Sequence, residues 1–143
     1  MEIEQCETSC GTLVINARGQ IILGHVSGTN HWDIPKGRQE IGELPLQAAM
    51  RELWEETGMQ LSEDFFEEIG NFSYRPGKRL HLYRAYVASA VQDLGELHCH
   101  TCFPCEEGCT PVPAMDDYCW ASREDLTHLC HQRLAERLLA VAW

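Results

Sequence analysis

The chain has 143 residues, 44% of them hydrophobic and 23% charged, with a formal net charge of −11. That size and balance fit one globular domain spanning residues 1–143. No apolar run reaches the ~18 residues of a membrane span. So acidic a field also repels nucleic-acid backbones and anionic membranes, which excludes DNA and disfavours long RNA. An anionic substrate needs a local metal or an arginine cluster to offset that repulsion. The N-terminal "MEIEQCETSC" lacks the basic-then-apolar order of a secretory signal, so a cytoplasmic protein is expected.

"CGTLVINARGQIILGHV" reads as two strands, near Thr12–Ile15 and Ile21–Gly24, around a turn at Ala17–Gln20. "HWDIPKGRQEIGE" reads as a loop with one short strand at Trp32–Ile34. A helix follows, with Pro45 in its first turn and Gly58 at its stop. "DFFEEIGNFSYR" and "RLHLYRAYVASAV" read as strands around a turn at Pro76–Gly77. A long loop rich in Cys, Pro and Gly runs from Gly95 to Asp117, before a short strand at "YCWAS". "REDLTHLCHQRLAERLLAVAW" reads as one closing amphipathic helix. Strands interleaved with helices predict an α/β fold with a mixed sheet.

In the first helix, Leu46, Ala49, Met50, Leu53 and Thr57 share one face, predicted to pack on the sheet. Glu52, Glu55 and Glu56 share another. Like charges at such spacing cost roughly 0.2–0.5 kcal/mol per pair. They also sit towards the helix C-terminus, where the dipole disfavours anions. A hard divalent cation turns that liability into a site, because Mg²⁺ and Mn²⁺ prefer carboxylate and carbonyl oxygens.

Gly37, Glu43, Arg51-Glu52-Leu53, Glu55-Glu56, Gly58 and Met59 keep the spacing of a Nudix box at every defined position. The chain therefore resembles the Nudix hydrolases. The resemblance implies an α/β/α sandwich with a mixed central sheet, and hydrolysis of a phosphoanhydride in a small nucleotide-like substrate. It implies Mg²⁺ or Mn²⁺ held by Glu52, Glu55, Glu56 and the carbonyl of Lys36. It implies a catalytic role for those glutamates, with Arg51 and Glu43 bracing the box loop. Gly37 is expected to permit a backbone geometry that a side chain would block. A homodimer stays open, since many members dimerise.

Beyond the box the readings divide. Asp117, beside Asp116, matches the place where several members carry a catalytic acid, and equally reads as a loop cap. Lys78 and Arg79 lie in the most basic stretch of the chain and are candidates for phosphate contact, or for a solvated hairpin. Trp32 is a candidate for base stacking or for the core. Cys99, Cys102, Cys105 and Cys109 have metal-site spacing, with His98 and His100 between and beside them. Structural Zn²⁺ there is an alternative to free thiols. Two other function classes remain: a non-catalytic nucleotide sensor on the same fold, and a metal- or redox-responsive protein using the cysteine segment.

Overall fold

The computed structural model describes residues 6–88 and 93–143. β1 (Glu7–Ile15) and β2 (Ile21–Val26) are joined at Asn16–Gln20. There the Asn16 side-chain oxygen accepts the N–H groups of Arg18 and Gln20 at 2.9 and 3.0 Å. Where one short strand is predicted, two occur: β3 (Trp32–Asp33) and β4 (Lys36–Arg38). Pro35 separates them. It has no N–H for a ladder, and its carbonyl accepts the Thr12 N–H at 3.1 Å.

Helix α1 spans Pro45–Thr57, with Gly58 at its C-terminal cap in the left-handed region at φ 76°. β5 (Phe66–Arg75) and β6 (Lys78–Tyr86) form the hairpin around Pro76–Gly77. Of the second predicted strand, residues 89–91 lie outside the described residues. β7 (Met115–Ala121) begins earlier than the predicted "YCWAS", because Met115 and Asp117 also pair with β2. The closing helix is divided into α2 (Leu126–Leu129) and α3 (Gln132–Leu139). Cys130 and His131 between them are extended, and Cys130 is buried, so the chain resets its course while keeping that side chain in the core.

The seven strands form one mixed sheet. Its main path is β3-β2-β1-β6-β5, with β4 also paired to β1 and β7 to β2. β1 and β6 run parallel from Glu7↔Lys78 to Ile15↔Tyr86; the other pairings are antiparallel. Alternation along β1 and β2 splits the core in two. Leu13, Ile15, Ile21 and Leu23 meet Leu126, Leu134 and Leu138 of α2 and α3. On the other face Val14 and Ile22 meet Leu53 of α1, while Cys10 and Tyr83 meet Ala48 and Ala49. The result is the predicted α/β/α sandwich. No helix among the described residues is long and apolar enough to cross a membrane.

The buried face of α1 holds Ala48, Ala49, Leu53 and Thr57, but also Glu56. The long loop then serves a purpose its composition does not announce. The last four carbonyls of a helix have no partner within it. Here the Trp54 carbonyl accepts the Gly58 N–H at 2.7 Å, Glu55 that of His100 at 2.5 Å, and Thr57 that of His98 at 3.0 Å. The Glu56 carbonyl accepts the Tyr118 hydroxyl at 2.5 Å. The His100 ring also lies flat on Trp54, with centroids 4.5 Å apart. The start of the loop is thus a strap over the end of the helix that carries the three glutamates.

Gly58 tests this junction. A Cβ there would add left-handed strain and come within 3.3 Å of the His98 carbonyl and 3.2 Å of the His100 ring. We expect Gly58→Ala to lower the unfolding free energy by about 1–2 kcal/mol in urea melts. An unchanged midpoint would show that the strap does not hold the helix end.

Candidate active site

α1 brings its acidic turn to the Lys36–Gly37 backbone. Glu56 is only 8% exposed, and its Oε1 accepts the Lys36 N–H at 2.7 Å. Burial pushes its carboxyl well above the usual carboxylate range, with the Lys36 N–H opposing. Glu52 lies directly against Gly37, where a Cβ would overlap its carboxyl group. Gly37 does not adopt a positive φ. The expected backbone freedom is therefore not what requires glycine here; the absence of a side chain is. Burial also raises the Glu52 carboxyl, opposed by its bond to Arg51.

Arg51 ties the acidic turn to the box loop. Its Nε and Nη2 donate to the two oxygens of Glu43 at 2.8 and 2.9 Å. Nη2 also reaches the Arg38 carbonyl at 2.9 Å. Nη1 donates to Glu52 at 2.7 Å and to both oxygens of Glu55 at 3.3 Å. The bidentate pair holds the Glu43 carboxyl below its ordinary range. One guanidinium therefore closes the loop and offsets two of the three crowded glutamates.

The donor set is all hard oxygen and suits Mg²⁺ or Mn²⁺. The bare cradle at Gly37 places Glu52 beside the strand whose N–H holds Glu56. As they stand, no three His, Cys, Asp or Glu side chains among the described residues converge on one point. The reason lies in the same contacts: Arg51 Nη1 occupies the approach between Glu52 and Glu55, and Glu56 is turned to Lys36.

A cleft of about 1020 Å³ opens on the α3 side of the sheet, lined by Asp33, Lys36, Tyr74, Arg75, Arg133 and Arg137 among others. Lys36 belongs to both places. Its ammonium pairs with Asp33 at 3.1 Å in the cleft wall, which raises its pKa, while its backbone receives Glu56.

Four candidates are not brought here. Lys78 pairs with Glu7 at 3.6 Å, and Arg79 donates to the Asn71 side chain at 2.9 Å and its carbonyl at 3.0 Å. Both are engaged by the neighbouring strands β1 and β5, and neither lines the cleft. Asp117 lines a second pocket with His25, Asn30, Trp32 and Asp116. Tyr118, the next residue on β7, is the one that turns towards α1. Trp32 packs edge-on against His25 and against the core. Both nitrogens of His25 meet oxygens, Asp116 at 2.5 Å and the Thr29 carbonyl at 2.8 Å, and the Asp116 bond raises its pKa.

The four loop cysteines do not form the zinc site considered above. Cys105 and Cys109 are joined to each other, and the Cys99 sulfur is engaged with the Thr101 carbonyl and the Met115 N–H. Elsewhere, burial pushes the Cys10 and Cys119 thiols up to about 11 and Cys130 up to about 12, which keeps them protonated and unreactive. Sequence reasoning missed His131, Arg133 and Arg137 as cleft residues. The i,i+4 spacing of the two arginines was the available signal.

The NUDIX domain matches residues 7–141, and the chain belongs to that family. An uncharacterized 17.7 kDa protein in the e-segB intergenic region of Enterobacteria phage T4 is 31% identical over 126 residues, covering 82% of this chain and 83% of that protein. The RNA pyrophosphohydrolase of Roseobacter denitrificans is 43% identical over 51 residues, but that match spans 34% of this chain and only 32% of that enzyme. The crystal structure of a C. elegans Ap4A hydrolase binary complex is similar in fold, with a TM-score of 0.63 at 20% identity and 93% coverage of each chain.

Glu56 gives a stability test. Its folded pKa lies above its unfolded one, so folding favours the proton. Stability therefore falls as pH climbs from the ordinary carboxylate value through the raised folded value. In EDTA, Glu56→Gln should melt with the wild type in acid and a few degrees above it at neutral pH. A variant that melts lower at pH 7 would contradict the burial argument.

Proposed function

We propose that this chain hydrolyses a phosphoanhydride bond in a small nucleotide-like diphosphate or polyphosphate, with Mg²⁺ or Mn²⁺ as cofactor. One observation carries the reading: the Lys36–Gly37 backbone receives Glu56 and Glu52 from α1, while the Lys36 side chain lines a wide, basic cleft. Carboxylates that suit a cation thus adjoin a surface that suits phosphate. The partial likeness to RNA pyrophosphohydrolases and the fold shared with an Ap4A hydrolase support the reaction class. The net charge of −11 speaks for a small substrate over a long RNA.

Glu52, Glu55, Glu56 and the Lys36 carbonyl would hold the cation. When bound, it supplies charge neutralisation for the phosphate oxygens and a lower pKa for a coordinated water. The chain's own residues do the positioning. Arg51 and Glu43 fix the loop, and Gly37 leaves room for the Glu52 carboxylate. Glu55 is the most exposed of the three glutamates: its side chain is 29% exposed against 12% for that of Glu52, and Glu56 is buried. Its hold on Arg51 is also the longest, at 3.3 Å. It is therefore the carboxylate best placed to accept a proton from the attacking water.

The test is a panel of nucleoside diphosphate derivatives, nucleoside triphosphates, dinucleoside polyphosphates and capped RNA, assayed with Mg²⁺ and Mn²⁺. We expect turnover of at least one small substrate, and a loss of roughly 10²–10⁴-fold in kcat on Glu52→Gln, Glu55→Gln or Glu56→Gln. Gly37→Ala should displace the flexible end of Glu52, lowering kcat with little change in melting temperature. No turnover across the panel, or glutamate variants as active as wild type, would overturn the reading.

A further inference from the structure

The large cleft carries more positive charge than a structural account requires. Arg75 enters it from the end of β5, Arg133 and Arg137 from α3, and Lys36 from β4. The chain has 22 acidic residues against 11 Lys and Arg. Both lysines, and Arg38, Arg51 and Arg84, are in ion pairs. Among the described residues Arg75, Arg133 and Arg137 are in none, as are Arg18, Arg79 and Arg123, but only these three lie together in one cleft. Glu136 also lines the cleft, and its carboxylate accepts instead from the Gln132 side chain at 2.9 Å.

Two of these arginines are already oriented. Arg133 Nη1 donates to the Tyr74 carbonyl at 3.3 Å, and the Arg137 guanidinium lies over the Phe72 ring at 4.4 Å from its centre. Held planar forks lose little freedom when they take up phosphate oxygens. The residues come from elements far apart in sequence, so their meeting is not a by-product of one amphipathic helix. Three like charges in one cleft repel unless an anion lies between them. With Asp33 paired to Lys36, the cleft still holds three arginines against one remaining carboxylate, Glu136, and a concave wall with such an excess focuses a positive field outward.

We propose that this cleft binds a run of phosphates, and that the substrates are nucleotides bearing a triphosphate or longer polyphosphate chain rather than diphosphate diesters. The inference rests on the hydrolase reading for its reaction, but not for its binding. Lys36, paired with Asp33, marks where the cleft meets the glutamates. The three unpaired arginines beyond it match the additional charge that a longer chain carries. His131 also lines the cleft, but one face of its ring is already stacked on His31 at 3.6 Å.

The experiment is calorimetric titration of the full chain, in EDTA so that turnover does not intervene, with inorganic pyrophosphate and inorganic tripolyphosphate. We expect tripolyphosphate to bind at least tenfold more tightly than pyrophosphate. Arg75→Gln and Arg133→Gln should each weaken tripolyphosphate by about tenfold while melting temperatures stay within a degree of wild type. Arg18→Gln, in the β1–β2 turn outside the cleft, makes the same change in net charge and should leave binding as it is. Equal affinity for the two anions, or an Arg18 variant that weakens binding as much as the cleft variants, would overturn the proposal. Tight tripolyphosphate binding with no hydrolysis across the substrate panel would instead remove the enzyme reading and leave the anion site standing.

Discussion

Glu56 is a carboxylate seated almost wholly out of water, against the backbone N–H of a three-residue strand. An isolated buried carboxylate is unfavourable, and an ion of this kind persists only with close compensation. The surrounding arrangement follows from that requirement. α1 must dock tightly enough on β4 for Glu56 to reach Lys36, which brings Glu52 onto residue 37. No side chain fits there, so residue 37 is glycine. Two acidic neighbours on the same turn then need a counter-charge, and Arg51 supplies it while holding Glu43 and the loop. The box is thus one mechanical unit, in which each residue is explained by the contact the previous one forces.

The protein also separates its charges in space. Acidic residues dominate the chain, yet the cleft beside α3 gathers arginines that have no carboxylate partner among the described residues. Crowded carboxylates on α1 and a group of arginines on α3 and the end of β5 are the two concentrations of charge beside Lys36. Lys36 is where the two meet. The second pocket, around His25 and Asp116, is a different environment: its histidine is engaged on both nitrogens, and its acids face away from α1.

Local signals were the readable ones. Pro45 and Gly58 mark the ends of α1 because each acts on its own backbone. The glutamate spacing predicts a shared face because helical geometry leaves no choice. The hairpin at Pro76–Gly77 is legible for the same reason. What the sequence hides depends on long-range contact. Alternation on β7 sends Asp117 to the face opposite Tyr118, a matter of register that no local motif encodes. Lys78 and Arg79 look like phosphate ligands until β1 and β5 supply Glu7 and Asn71. Arg133 and Arg137 look like the solvated side of an amphipathic helix until Arg75 comes to meet them. The break at Cys130–His131 has neither proline nor glycine to announce it. The cysteine run suggests a metal, whereas the backbone beside it caps a helix.

The parallel pairing of β1 with β6 carries a consequence for how the molecule is made. Parallel neighbours cannot be joined by a tight turn; the chain must cross over before the second can lie beside the first. Here the crossover contains β2, β3, β4, the whole glutamate helix and β5. During synthesis the N-terminal strand therefore emerges long before its neighbour exists, and one of its edges stays bare until α1 and β5 have left the ribosome. Such late closure favours slow assembly and leaves a nascent chain open to wrong partners. It also means that the glutamate helix cannot be deleted to leave an intact scaffold, since it is part of the bridge by which the sheet closes.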